Sequence, residues 1–486
     1  MNIHQRVSPF LLALLFMLGC QETASVNPES PTQARPEWLL PEIIRSGVNT
    51  TTLHAFHVGN HIVQYTAQSQ GHDIDTYQWG SQEALWDDLY KTLGDVRLLE
   101  QLGVEDAHPN YEAIAIILRT WMFSILTDAY GNIPYSDYLV LGDSASLTHP
   151  SFDAQEDIYL GSKGLLNELA RANALIKVGG VSVKGDILYE GDMDKWKRLG
   201  NSLRLRLLMR ISHKVNVGFE LQAIADAGEY FKSNEQQAVL PYLRTYPNTH
   251  PVYALSLTEF DQTRLSQSFF TELTRLNDPR LAQFARPTDA SIEAGSIPQY
   301  EGWRNGAAGC DLDGVKLGYA YHTWPTHPEA MQQAPGILMT YAEVMFLLAE
   351  AAEQGYIIGY SDVYYREGIR ASMEMYAVEY GGTFVQSLDA YFNQESIKLD
   401  LTDAPLEYIL TQKWIALFFT GLEGWYTHRR TQLPRLISPC NAFHNGQMPL
   451  RFRYPASVAQ LNPTAYQQAV ADMGGDELFT RMWLVQ

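Results

Sequence analysis

Three histidines at i, i+3 and i+7, His54, His57 and His61, would present their imidazoles along one side of a helix, a set able to hold a transition metal. No cysteine lies near them and no His-Glu-x-x-His spacing supports a site, so they are read as surface or hairpin-packing side chains. Asp311 and Asp313 ahead of Gly314, and the pair Asp73 and Asp75, are fragments of an oxygen-ligand pattern. A helix-loop-helix calcium loop closes on a glutamate at its twelfth position, and counting from Asp311 that place holds His322. Plain turns are expected at both, with no metal and no cofactor.

Cleavage of a glycosidic bond needs two carboxylates held across the sugar. Glu343, Glu350 and Glu353 share one helix, but packing as a hairpin would send them mostly to solvent. No G-x-S-x-G or Cys/His nucleophile signature accompanies them, and no catalytic residue is predicted. The most basic segment carries Lys195, Lys197, Arg198, Arg204, Arg206 and Arg210 with leucines interleaved, and reads as the outer face of a packed helix. Arg429 and Arg430, after GLEGWYTH, could bind an anion, although basic residues past a helix end also satisfy free carbonyls.

Aromatic residues offer a different chemistry. Tyr300, Trp303, Tyr319, Tyr321 and Trp324 lie in a segment without period among Gly, Pro, Asn and Asp, and Tyr77 and Trp79 lie in another polar loop. Flat rings on rigid loops stack on pyranose faces while nearby amides and carboxylates fix the hydroxyls. The ligand-binding candidates are therefore Trp79, Tyr77, Tyr300, Trp303, Tyr321 and Trp324. The alternative for each is that its ring only pins a loop to the scaffold. Trp121, Trp196 and Trp414 sit at apolar helical positions and belong to the core.

The elements that must carry these loops are helices. In APGILMTYAEVMFLLAEAAEQGYI, Ile337, Met339, Ala342, Met345, Phe346 and Ala349 recur at three- and four-residue spacing, one buried helix face. After Gly355 and Gly359, SDVYYREGIRASMEMYAV runs helically from Ser361 or Asp362, so the two fold back as a hairpin. Ala84 to Leu102 pairs with NYEAIAIILRTWMFSILTDAY, and Phe152 to Ile176 with Asp194 to Ser212. Trp38 to Gln68, Leu265 to Leu276, Ala404 to Phe419 and Pro463 to Met473 are also read as helical. Residues 286–335 hold no period. Hairpins with a leftover apolar side must stack, which predicts a mainly α, tetratricopeptide-like scaffold with long irregular loops.

The 486 residues are 46% hydrophobic and 12% aromatic, and 35 basic against 55 acidic residues give a net charge of −20. That charge opposes affinity for nucleic acid or an anionic membrane surface. Phe10 to Leu18 is an apolar run too short to span ~30 Å of hydrocarbon, so residues 1–19 read as a signal peptide. The junction Met17-Leu18-Gly19-Cys20 resembles the lipobox of bacterial lipoproteins, with Met17 departing from the usual Leu. Lipidation of Cys20 is expected, followed by a flexible tether over 20–36 and one domain over 37–486. Export also makes a disulfide between Cys310 and Cys440 chemically available, two free thiols being the alternative.

Several stretches together, in order along the chain, resemble the SusD/RagB family of surface nutrient-binding lipoproteins. They are NYEAIAIILRTWMFSILTDAYGNIPYSDYL, GDMDKWKRLGNSLRLRLLMRIS, LNDPRLAQFARP, PGILMTYAEVMFLLAEAAEQGYI, TQKWIALFFTGLEGWYTHRRTQLPRL and RFRYPASVAQLN. The resemblance implies a non-enzymatic protein facing the cell exterior. It would act as the lid of a SusC-like TonB-dependent outer-membrane barrel and capture an oligosaccharide or peptide. It also places Arg429 and Arg430 in the scaffold. The acidic pair of the family's surface-export signal is met only in part, by Gln21-Glu22. An exported helical glycoside hydrolase and a structural helical-repeat adaptor are the rival readings.

Overall fold

A long helix, α1, starts at Pro36 and ends at His54, and its axis continues through a π turn at Ala55–Gly59 and a last turn at Asn60–Ile62. The computed structural model describes residues 34–70, 73–142, 147–243, 245–254, 262–295, 297–307, 334–377 and 384–486. Helices α2 (Glu83–Glu105) and α3 (Pro109–Tyr130) form the first hairpin, closed by a tight turn and by Pro109 in the first turn of α3, where a missing N–H costs nothing. The second hairpin is α4 (Leu165–Leu175) with α5 (Met193–Ile211), whose start is capped by the Asp192 carboxylate accepting the Asp194 and Lys195 amides. The third is α6 (Tyr341–Glu353) with α7 (Ser361–Ala377), and Thr340 caps α6 through the Glu343 amide. Helices α8 (Pro405–Ala416) and α9 (Glu423–Thr431) complete the stack.

Each helix packs on the next, α1 on α2, α2 on α3, α3 on α4, α4 on α5 and α5 on α6, while α6 also carries α7 and α8. The expected mainly α, tetratricopeptide-like scaffold is what forms. Small residues make the closest approaches: a Cβ built on Gly59 would lie 2.2 Å from the Gly421 carbonyl oxygen. Gly59→Ala is therefore expected to lower stability by about 1–3 kcal/mol through overpacking, read as a drop in the urea midpoint.

Sequence periodicity overran some boundaries. The chain leaves the helical path at Gln64, whose φ is +59°, and Thr66–Gln68 form β1, paired antiparallel with β3 at Thr263–Leu265. The C-terminal end of the predicted helix 38–68 and the first residue of 265–276 are thus strand, because the pairing satisfies amides that no helix reaches. A second ribbon joins β2 (Ala238–Leu240) to β4 (Gly336–Met339). The stretch 152–176 splits into Gln155–Leu160 and α4 around Gly161 and Gly164. The unpredicted helix Gly218–Ala227 buries only Leu221 and Ile224, too narrow a stripe to register as a period.

Four charged residues of α5 and α6 lie opposite to expectation, whereas Lys195, Lys197, Arg198, Arg204 and Glu353 stay partly exposed. Glu343 and Glu350 are 1% and 0% exposed, and Arg206 and Arg210 are buried as well. The reason is that α5 and α6 are covered on more than one side, so an i, i+4 pair of arginines among leucines faces another helix. Arg206 donates to both carboxylate oxygens of Glu343 at 2.6 Å and to the Leu338 carbonyl at 3.0 Å. Glu423 of α9 bridges Arg206 and Arg210, and Arg210 continues to Asp128 at 2.7 Å. Glu350 takes Lys413 at 3.2 Å and Arg430 at 2.5 Å. Burial pushes the Glu350 and Glu423 carboxyls up, but their paired cations outweigh it and hold both below the usual range.

Candidate ligand-binding cleft

Helix α9 ends at Gln432 in a left-handed C-cap, and an irregular run then passes through Pro434 to Leu450 before Arg451 and Phe452 re-enter the core. Three loops are laced to this run. The Gln64 side chain donates to the Ile437 carbonyl at 2.7 Å and to the Tyr77 hydroxyl at 3.4 Å, and the Phe443 amide to the Thr76 carbonyl at 2.9 Å. The Cys440 amide donates to the Asn305 carbonyl at 2.9 Å, a closeness that Gly306 permits, since a Cβ there would sit 2.1 Å from the Cys440 oxygen. Asp75 ties the 66–80 and 305–306 loops, accepting from the Gln68 amide at 2.7 Å, the Asn305 side chain at 3.0 Å and the Gly306 amide at 3.3 Å. Burial raises its carboxyl to about 7 against those donors. Asp75 is thus a loop clasp, in keeping with the expected turn.

Between these loops and the segment 478–481 opens a cleft of about 670 Å³. Tyr77 and Phe479 supply rings, Leu436, Ile437, Met448 and Leu450 supply apolar surface, and His428, Arg429, Arg435 and Arg481 supply the polar lining. The size and mixture suit a molecule with apolar faces and polar edges. Among the described residues no carboxylate lines it.

Arg429 is 8% exposed and donates to the carbonyls of Leu450 and, at 2.7 Å, of Asp128 in the last turn of α3. Its guanidinium lies 4.2 Å from the Trp425 ring centre and 4.8 Å from that of Tyr426. The Asp128 carboxylate is taken by Arg210 and by the Tyr159 hydroxyl. Burial pulls the Arg429 guanidinium down to about 10, so it remains charged at neutral pH. His428 is 9% exposed with Nδ1 unpartnered, and burial lowers it to about 4, which keeps the imidazole neutral.

The structure brings Tyr77 to the cleft and not Trp79, whose ring is buried edge-on against Trp425 and Phe452, with Nε1 donating to the Arg451 carbonyl at 3.4 Å. Trp303 and Tyr300 are half-buried elsewhere: the Trp303 backbone bridges to Leu265 and Gln267, and Tyr300 packs on the core. Tyr319, Tyr321 and Trp324, like Asp311, Asp313, Cys310 and Cys20, lie outside the described residues. Cys440 is disulfide-bonded. The predicted core tryptophans Trp121, Trp196 and Trp414 are buried. His54 and His61 are buried while His57 is exposed, because the π turn adds a residue and rotates them off a common face. Among the described residues no group of His, Cys, Asp or Glu is placed to hold a metal. Arg430 serves the scaffold through Glu350, as the resemblance implies, whereas Arg429 reaches the cleft.

Phe479, Arg435 and Arg481 were not foreseen. One signal was available: between Glu423 and Asp472 the chain has Arg429, Arg430, Arg435, Arg451 and Arg453 but no acidic residue, in a protein with 55 of them.

A family described as starch-binding and associating with the outer membrane matches residues 28–455. Among solved structures the chain is similar to a SusD homologue of Bacteroides fragilis NCTC 9343, with 26% identity and a TM-score of 0.80 over 93% of this chain and 100% of that one. It is similar to a chitin-binding protein at 27% identity and a TM-score of 0.80, over 93% and 100% of the two chains. A chitin-binding SusD homologue from Flavobacterium johnsoniae shares the fold, at 22% identity and a TM-score of 0.75 over 92% and 98%. No curated protein sequence matches.

Proposed function

Because the chain belongs to the SusD-like family, we propose that it captures a glycan outside the cell and delivers it, without cleaving it, to a TonB-dependent outer-membrane barrel. The observation that carries this reading is the cleft of about 670 Å³ built by loops on a rigid helical stack, with Tyr77 and Phe479 among its rings. Loops held by a scaffold can be shaped to a ligand without disturbing the fold beneath. The chitin-binding name of a relative at 27% identity supports a glycan as the ligand class. Hydrolysis would call for two carboxylates, and the described lining of this cleft holds none.

In this reading Cys20 bears lipid, residues 20–36 are the tether, and residues 37–486 form the lid. The capture step needs no covalent chemistry. Stacking and hydrogen bonds hold the sugar, and closure over the barrel removes it from solvent.

A tagged pull-down from solubilised outer membranes of the native host tests the partner. A TonB-dependent barrel recovered in stoichiometric amount is the expected result. Recovery of the protein alone, under conditions that keep other membrane complexes intact, would overturn the lid role.

A further inference from the structure

Among the described residues the buried guanidinium at the floor of the cleft makes no salt bridge: the acid that acts on it, Asp128, spends its carboxylate on Arg210 and the Tyr159 hydroxyl. Arg429 is held by two carbonyls and two aromatic rings, and its Nε finds no partner. A buried cation without an ionised partner is costly, and carbonyl dipoles offset only part of that cost. At the rim Arg435 and Arg481 are exposed, and neither makes an ion pair among the described residues. The acids nearest in sequence are engaged: Asp476 with Arg451 at 3.0 Å and Glu477 with Arg453 at 2.5 Å.

The result is a local reversal of sign. A protein of net charge −20 lines a cleft of about 670 Å³ with three arginines and a neutral histidine, and with no carboxylate among the described residues. Low-dielectric walls focus such a field on whatever enters. A guanidinium fork matches the paired oxygens of a carboxylate or a sulfate, and two rings beside it match the flat face of a sugar.

We propose that this cleft selects acidic glycans, binding a carboxylate or sulfate group of the sugar through Arg429, Arg435 and Arg481. Arg429 takes the charged group deepest, where removal from water strengthens the pairing. His428 accepts a hydrogen bond from a sugar hydroxyl at its unpartnered Nδ1, and Tyr77 and Phe479 flank the ring. The proposal rests on the glycan-capture reading and names its substrate class.

Calorimetry on the detergent-solubilised full chain tests it, with a tetragalacturonate as the carboxylate probe, a κ-carrageenan tetrasaccharide as the sulfate probe and chitotetraose as the neutral probe. At least one charged probe is expected to bind about tenfold or more tighter than chitotetraose, with an affinity that falls as salt rises. Whichever charged probe binds identifies the source of the anion. Arg435→Gln and Arg481→Gln are each expected to weaken that probe by about tenfold with the melting temperature unchanged, which keeps the test independent of any folding defect in Arg429→Gln. Charged probes that bind no tighter than chitotetraose, or that are indifferent to both rim variants, would overturn the acidic-glycan inference and leave glycan capture standing. If none of the three binds, the glycan reading fails with it.

Discussion

Glu423→Ala is expected to lower the unfolding free energy by about 3–5 kcal/mol, read as a lower urea midpoint with an unchanged slope. The wild-type carboxylate spans two guanidiniums, Arg206 and Arg210, that are otherwise shared among Glu343 and Asp128. Alanine leaves both cations buried with fewer acids than they need. A surface pair would give a change below about 1 kcal/mol, so an effect of that size would refute the buried network. The pH dependence carries a sign. Glu423 has a folded-state pKa below its unfolded value, so its contribution is present above about pH 4.3 and is lost as pH falls through the folded value. Glu350 acts in the same direction. The variant should therefore lose less stability than the parent on acidification below pH ~4.

Trp79→Ala should cost a further large amount, about 3–5 kcal/mol, because the indole is 4% exposed and packs on Trp425, Phe452 and Tyr77. Far-UV circular dichroism during urea unfolding reads the change without relying on the fluorescence of the deleted ring. A ligand ring would behave differently, with an unchanged midpoint and a weakened affinity. That outcome would show that the polar loop opens in solution and would return Trp79 to the binding surface.

These two residues show where reading a sequence reaches its limit. The hairpins were legible because their apolar residues repeat within a window of a few turns, as Leu85, Leu89, Leu93, Val96 and Leu99 do along α2. Nothing local distinguished Glu343 from a solvent-facing acid, because its partner Arg206 lies 137 residues away. Arg206 and Arg210, spaced like an outer stripe, turned inward because α9 brings Glu423 between them. Trp79 sits among Ser, Gln and Gly in sequence, yet the rings that cover it come from Trp425 and Phe452. Ring type and loop placement picked out Tyr77, which lines the cleft, but could not separate it from Trp79, whose ring is buried. The excess of arginine over acids along 424–471 lay in a long acid-free stretch, a pattern of omission that a search for motifs passes over.

Helix α3 carries a consequence for biogenesis. Among the described residues it is the helix long and apolar enough to cross a membrane, and every residue from 113 to 130 is buried. On the proposed route to the outer membrane, the unfolded chain passes through a translocation channel before α2 and α4 exist to cover that segment. A stretch this greasy would tend to slip sideways into the lipid and stay. Arg119 stands near its midpoint, where an arginine adds about 2.5–3.5 kcal/mol to the cost of insertion. In the folded protein the same guanidinium binds Glu100 and Glu168, joining three helices. On that route the charge that ties the core together would also oppose lateral insertion of the segment.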